Sequence, residues 1–139
     1  VFMTTLQSST CDYMVGIAIG QGAFGTVLYG RHKVSQKPVA VKVILRHSLQ
    51  KHPFVQRAIL QEQVILQRCN DSPYIVSLYA SFLDDECLYL VLELGTRGTL
   101  QHAIDSYRND NTSCTSDIVT CYTSQLMQAL EYLHYQQDV

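Results

Sequence analysis

Apolar and polar positions alternate along the first third of the chain, and the alternation predicts three strands: Met14 to Ile19, Thr26 to Tyr29, and Val39 to Leu45, the last rich in β-branched side chains. Short turns join them, the first built from glycine and the second holding Ser35, Gln36, Lys37 and Pro38. From about Phe54 to Cys69 the apolar period becomes helical, and Asn70, Asp71, Ser72 and Pro73 end it with turn chemistry. Two further strands, Tyr74 to Phe82 and Cys87 to Leu94, hinge on the acidic turn Asp84, Asp85, Glu86. The pattern predicts an α+β unit of five strands with one inserted helix. Past Gly95 the composition moves towards Gly, Thr and Ser. A short helix from Thr99 to about Arg108, a polar loop from Asn109 to Ser116 and a long amphipathic helix should follow. On that last helix Val119, Tyr122, Leu126, Ala129, Leu130 and Leu133 form an apolar stripe that little else in the sequence can cover.

Composition narrows the possibilities. The 139 residues are 47% hydrophobic and 16% charged, which suits one globular domain or part of one and excludes a disordered chain. A formal net charge of -2 argues against a strong electrostatic grip on nucleic acid. The apolar run Leu88 to Leu92 falls far short of the roughly 20 residues that cross a bilayer, and no other run approaches that length. Cys11, Cys69, Cys87, Cys114 and Cys121 form no C-x-x-C pair, so reduced thiols and a cytoplasmic setting are expected. The chain opens on Val1 and stops at Val139 without a closing element, and part of a longer protein is expected.

Gly20, Gly22 and Gly25 stand in the order G-x-G-x-x-G within IGQGAFGTV. Such spacing lets backbone amides approach phosphate oxygens with no Cβ in the way, although alone it also fits a plain hairpin turn. A dinucleotide fold would need a helix to open at the last glycine and an acid roughly 20 positions on, whereas Thr26 to Tyr29 is strand-like and residues 39–45 hold no acid. No G-K-[ST] ends the run, which excludes a Walker A loop. A lysine, Lys42, closes the segment Val39, Ala40, Val41, and strand alternation puts Ala40 and Lys42 on one face.

The helix that follows collects Phe54, Val55, Ala58, Ile59, Ile65, Leu66 and Cys69 on one face, with Glu62 in their midst. Gln56, Arg57, Gln61, Gln63, Gln67 and Arg68 fall on the other, joined by Leu60 and Val64. A carboxylate aimed inward is costly unless it meets a cation, and Lys42 is the natural partner.

G-x-G-x-x-G-x-V, then V-A-V-K, then a helix-borne inward Glu resembles the amino-terminal lobe of eukaryotic protein kinases. IVSLYASFLDDECLYLVLELGTRGTL looks like that family's fourth and fifth strands, hinge and next helix, and ALEYLH (residues 129–134) is similar to the helix before its catalytic loop. Residues 74–134 resemble serine/threonine kinases of the branch that includes the phosphoinositide-dependent kinases. The implied organisation is a flank over 1–11, a small lobe over 12–94, a hinge over 95–98 and the start of a helical large lobe over 99–139.

The resemblance implies ATP as ligand and a protein hydroxyl as acceptor. It places the lid over the phosphates on Gly20, Gln21, Gly22, Ala23, Phe24, Gly25 and Thr26, with Phe24 at the tip. Lys42, held by Glu62, matches the lysine that orients the α- and β-phosphates. Ile19, Val27, Ala40 and Leu92 match the apolar adenine slot, and backbone groups of Glu93 and Gly95 match the hinge that meets the base edge. Thr99 stands where relatives often carry a ribose-binding acid, and Gly95 loosens a segment that is commonly stiffer. The H-R-D catalytic loop and the D-F-G magnesium site should lie beyond Val139, so this stretch alone should be inactive, and magnesium is expected only with the remaining half. The alternative is a nucleotide-binding or scaffold module without catalysis.

Overall fold

A computed structural model of the protein describes residues 12–51, 53–109 and 116–136. Cys11, Cys114, the flank over 1–11 and most of the polar loop over 109–116 lie outside the described residues. The strands are β1 (Tyr13–Gly22), β2 (Gly25–His32), β3 (Pro38–Leu45), β4 (Leu78–Leu83) and β5 (Cys87–Glu93). They form one antiparallel sheet in the order β1-β2-β3-β5-β4. Two helices, α1 (Arg46–Lys51) and α2 (Pro53–Arg68), lie between β3 and β4 in sequence. The chain divides into two compact units, the first comprising residues 1–71 and 76–94 and the second residues 72–75 and 95–139. The second unit carries α3 (Leu100–Asn109), α4 (Ser116–Glu131) and a π-helical turn (Tyr132–Gln136).

The five-stranded sheet and its helix match the expected architecture, with three corrections. Helix α1 was not foreseen, because its six residues are too few to display a period. Strand β4 starts at Leu78 rather than Tyr74. The Ser72 carbonyl accepts the Ile75 N–H and its hydroxyl accepts the Tyr74 N–H, so the backbone turns there instead of extending. Phe54, expected on the inward face of α2, is 85% exposed. At 100° per residue it points about 140° away from Ile59, which is fully buried.

Each face of the sheet carries buried apolar side chains. On one, Val39, Val41, Ala80 and Val91 form a buried cluster edged by Tyr13, Tyr79, Phe82 and Tyr89. Phe82 and Tyr89 stack at 4.9 Å between centroids, an arrangement worth about 0.5–1.5 kcal/mol beyond the area it buries. The opposite face carries Ile44, Leu88 and Leu90, all buried, and α2 contributes buried Ile59, Leu66 and Cys69. Burial pushes the Cys69 thiol above its ordinary pKa, with Arg68 opposing, so it behaves as an inert core thiol. In the second unit, by contrast, none of the described positions of α4 is buried; Val119 is 53% and Leu126 61% exposed.

The β4–β5 hairpin is held by one carboxylate. Asp84 Oδ1 accepts the N–H groups of Glu86 and Cys87 at 2.8 and 2.7 Å, and Oδ2 accepts the Tyr89 hydroxyl at 3.0 Å. The Cys87 and Glu86 amides, followed by the Tyr89 hydroxyl, hold Asp84 below its usual 3.8; burial and the same carboxylate push the Tyr89 phenol up. A depressed carboxylate stabilises the fold fully above its unfolded pKa and loses that contribution as pH falls through the lower folded one. Urea melts should therefore show wild type more stable than Asp84→Ala at neutral pH, with the gap narrowing once the pH drops below 3.8. A gap that widens in acid would refute this role.

Candidate functional site

The register of the sheet sets the site. Gly20 on β1 pairs with Val27 on β2, Val27 with Lys42 on β3, Lys42 with Leu90 on β5, and Leu90 with Ser81 on β4. These five residues form one rank across the sheet, and cross-strand partners share a face. In the neighbouring rank Ala40 pairs with Tyr29 and with Leu92, and Leu92 also pairs with Leu78. Val27, Ala40 and Leu92 thus join Lys42 on its face. Ala40 is buried and Val27 and Leu92 are half-buried, whereas Ile19, beside a register shift in β1, is 47% exposed.

Helix α2 delivers the acid to this rank. Lys42 Nζ donates to Glu62 Oε1 at 2.7 Å and to Oε2 at 2.8 Å, gripping both carboxylate oxygens. The side chains are 16% and 38% exposed respectively, so the pair sits at the rim of the core with one side open. A pair this open stabilises the fold by about 1 kcal/mol or less. Stability alone is a weak reason to place a lysine inside an apolar rank.

The three glycines differ in what the fold asks of them. At Gly25 a Cβ would lie 2.1 Å from the Val43 carbonyl oxygen, so the β2–β3 approach itself requires glycine. At Gly20 the nearest atom to a Cβ would be Val27 Cβ at 3.8 Å, and at Gly22 the Gly25 oxygen at 3.5 Å, both ordinary contacts. Neither has left-handed backbone; among the described glycines only Gly98 does, at φ 76°. The sheet therefore tolerates a side chain at Gly20 and Gly22, and their bare backbone leaves room for an approaching ligand. Thr26 Oγ1 donates to Gln21 Oε1 at 3.0 Å, a rung across the same hairpin that the motif did not suggest.

Ala23 and Phe24 occupy the turn between β1 and β2. Phe24, 40% exposed, lines a cavity of about 640 Å³ together with Thr26, Leu28, Val43, Leu49 and Val55. Its lining is largely apolar and does not include Lys42, so it is not where an anion would be held. The Glu93 N–H donates to the Ser77 carbonyl at 2.9 Å, and Glu93 Oε2 accepts the Ser77 N–H at 3.3 Å. With its amide committed, the Glu93 backbone has only its carbonyl to offer a ligand. Gly95 begins the second unit with nothing within 4 Å of where a Cβ would stand. In that unit the Thr99 hydroxyl accepts the His102 N–H at 3.1 Å, capping α3. Among the described residues no three His, Cys, Asp or Glu side chains gather as a metal site, and no helix is long and apolar enough to cross a membrane.

Sequence reasoning missed Gln63, which it put on the outer side of α2. Gln63 Nε2 instead donates to Ser81 Oγ at 2.7 Å. Helical geometry would have shown this: Gln63 lies about 40° from Ile59, inside the buried stripe.

The model of the protein kinase domain family matches residues 13–139, and the chain belongs to that family. Within it, the chain is similar to serine/threonine kinases. It is 33% identical to human 3-phosphoinositide-dependent protein kinase 1 over 126 residues, which is 88% of this chain and 21% of the relative. It is 29% identical to serine/threonine-protein kinase PKH2 of Candida albicans, over 95% of this chain and 13% of the relative. The chain thus spans only a small part of the curated relatives it matches.

Proposed function

We propose that this chain forms the ATP-binding portion of a serine/threonine protein kinase that moves the γ-phosphoryl group of ATP to protein hydroxyls. The observation that carries the proposal is the Lys42–Glu62 pair in one rank with Gly20, beside a hairpin in which two of three glycines are not required by the sheet. Glu62 holds the Lys42 ammonium in place, and the ammonium's open side meets the α- and β-phosphates. Amides of the Gly20 to Thr26 hairpin cover the phosphates and exclude water. Adenine lies on the apolar patch of Ile19, Val27, Ala40 and Leu92, with the Glu93 carbonyl at its edge.

Magnesium, when bound, neutralises charge on the phosphates; its ligands and the group that accepts the hydroxyl proton belong to the motifs of the family's other half. The described residues include no candidate cluster for the metal, so no residue here is assigned to it. The buried Cys69 and Cys87 thiols are free, as suits a cytoplasmic setting.

The test uses the full-length protein with radiolabelled ATP and magnesium, scoring nucleotide binding and label on serine or threonine of a protein acceptor separately. Binding with transfer supports the proposal. Binding without transfer would make the protein the nucleotide-binding module instead, and no binding at millimolar ATP would overturn both readings.

A further inference from the structure

We infer that Gln63, through Ser81, is a positioning residue for the Lys42–Glu62 pair, fixing α2 at the rotation that delivers Glu62 to Lys42. The inference rests on the proposed role of that pair. Lys42, Leu90 and Ser81 occupy one rank on neighbouring strands β3, β5 and β4. Consecutive helix residues bond to the two ends of this rank, Glu62 to Lys42 and Gln63 to Ser81, so the helix straddles Leu90.

Seven positions further along, Asn70 makes a second attachment to β4. Its Nδ2 donates to the Leu78 carbonyl at 3.0 Å and its Oδ1 accepts the Leu78 N–H at 2.8 Å. Asn70 lies in the turn just past the end of α2, so this segment is tied to β4 at Ser81 from within the helix and at Leu78 from beyond its end. Two such attachments oppose both sliding and rotation of α2 over β4.

The neighbours differ in what release costs. Glu62 is 38% exposed, so a freed carboxylate would be taken up by water. Ser81 is only 8% exposed, and its hydroxyl would lose its partner where water is scarce. The orientation of α2 is therefore set more firmly by Gln63 than by Glu62, although only Glu62 meets the lysine.

The test is made on the full-length protein without nucleotide, so that its outcome does not depend on ATP binding. The rate at which trace acetic anhydride acetylates Lys42 is measured by mass spectrometry relative to exposed Lys33, because an ammonium gripped by both oxygens of Glu62 is shielded from the reagent and one released from them is not. Ser81→Ala and Gln63→Met should each raise relative Lys42 acetylation by about threefold or more, the population shift expected from losing one hydrogen bond. Ser81→Thr, which keeps the hydroxyl, should restore the wild-type rate. Ile59→Val, which loosens α2 packing without touching the rank, should leave it unchanged. Wild-type Lys42 rates in both folded clamp variants, or an Ile59→Val rate as high as theirs, would overturn the inference. Should one clamp variant fail to melt cooperatively, the other decides by hydrogen exchange of its α2 amides: exchange faster than in Ser81→Thr supports the clamp, and equal exchange contradicts it. A protein that fails to bind ATP yet shows this pattern would refute the proposed function and leave the clamp standing.

Discussion

On the proposed function, Lys42→Met in the full-length protein should lower phosphoryl transfer by about a hundredfold or more while the fold persists, because a preorganised charge aimed at developing phosphate charge is worth that much in rate. The structure separates the two effects. Removing the ammonium costs little packing: Lys42 is 16% exposed, and methionine fills a similar volume between Val27 and Leu90. Glu62, 38% exposed, is left to water rather than to an uncompensated core position. Steady-state turnover and a thermal melt on the same samples check the claim. Turnover near normal would contradict the role of Lys42, and collapse of the melt would make the pair structural.

Gly25→Ala should destabilise the protein by about 3 kcal/mol, at the upper end of overpacking effects, since the new Cβ meets backbone rather than a side chain that can swing aside. Gly20→Ala should be nearly neutral for stability, because its Cβ finds only Val27 at 3.8 Å. If the hairpin covers phosphates, Gly20→Ala should instead weaken nucleotide affinity. Urea denaturation paired with ATP titration distinguishes these two behaviours. Equal stability losses at both positions would show that the motif serves the sheet alone.

These glycines illustrate how far the sequence carries. Periodicity located all five strands and α2, because alternation in β3 and the stripe of α2 are strong signals over eight and sixteen residues. It could not divide G-x-G-x-x-G into one position the fold requires and two it tolerates, since that depends on where the Val43 carbonyl lies. Glu62 stood out as a lone acid among apolar residues, whereas Gln63, one of several glutamines on α2, carried no such contrast. Its role appears only when register places Ser81 in the same rank as Lys42. The start of β4 was misjudged for a similar reason: Tyr74 to Ser77 has strand-like composition, yet Ser72 and Asn70 redirect the backbone through side-chain bonds.

An ATP derivative bearing an acyl group on its terminal phosphate transfers that group to whichever lysine lies against the phosphates, and mass spectrometry of the labelled full-length protein identifies it. Modification concentrated on Lys42 and suppressed by excess ATP is the predicted result. Label spread over Lys33 and Lys37, or on Lys42 but indifferent to ATP, would contradict a nucleotide held over the Lys42–Glu62 pair.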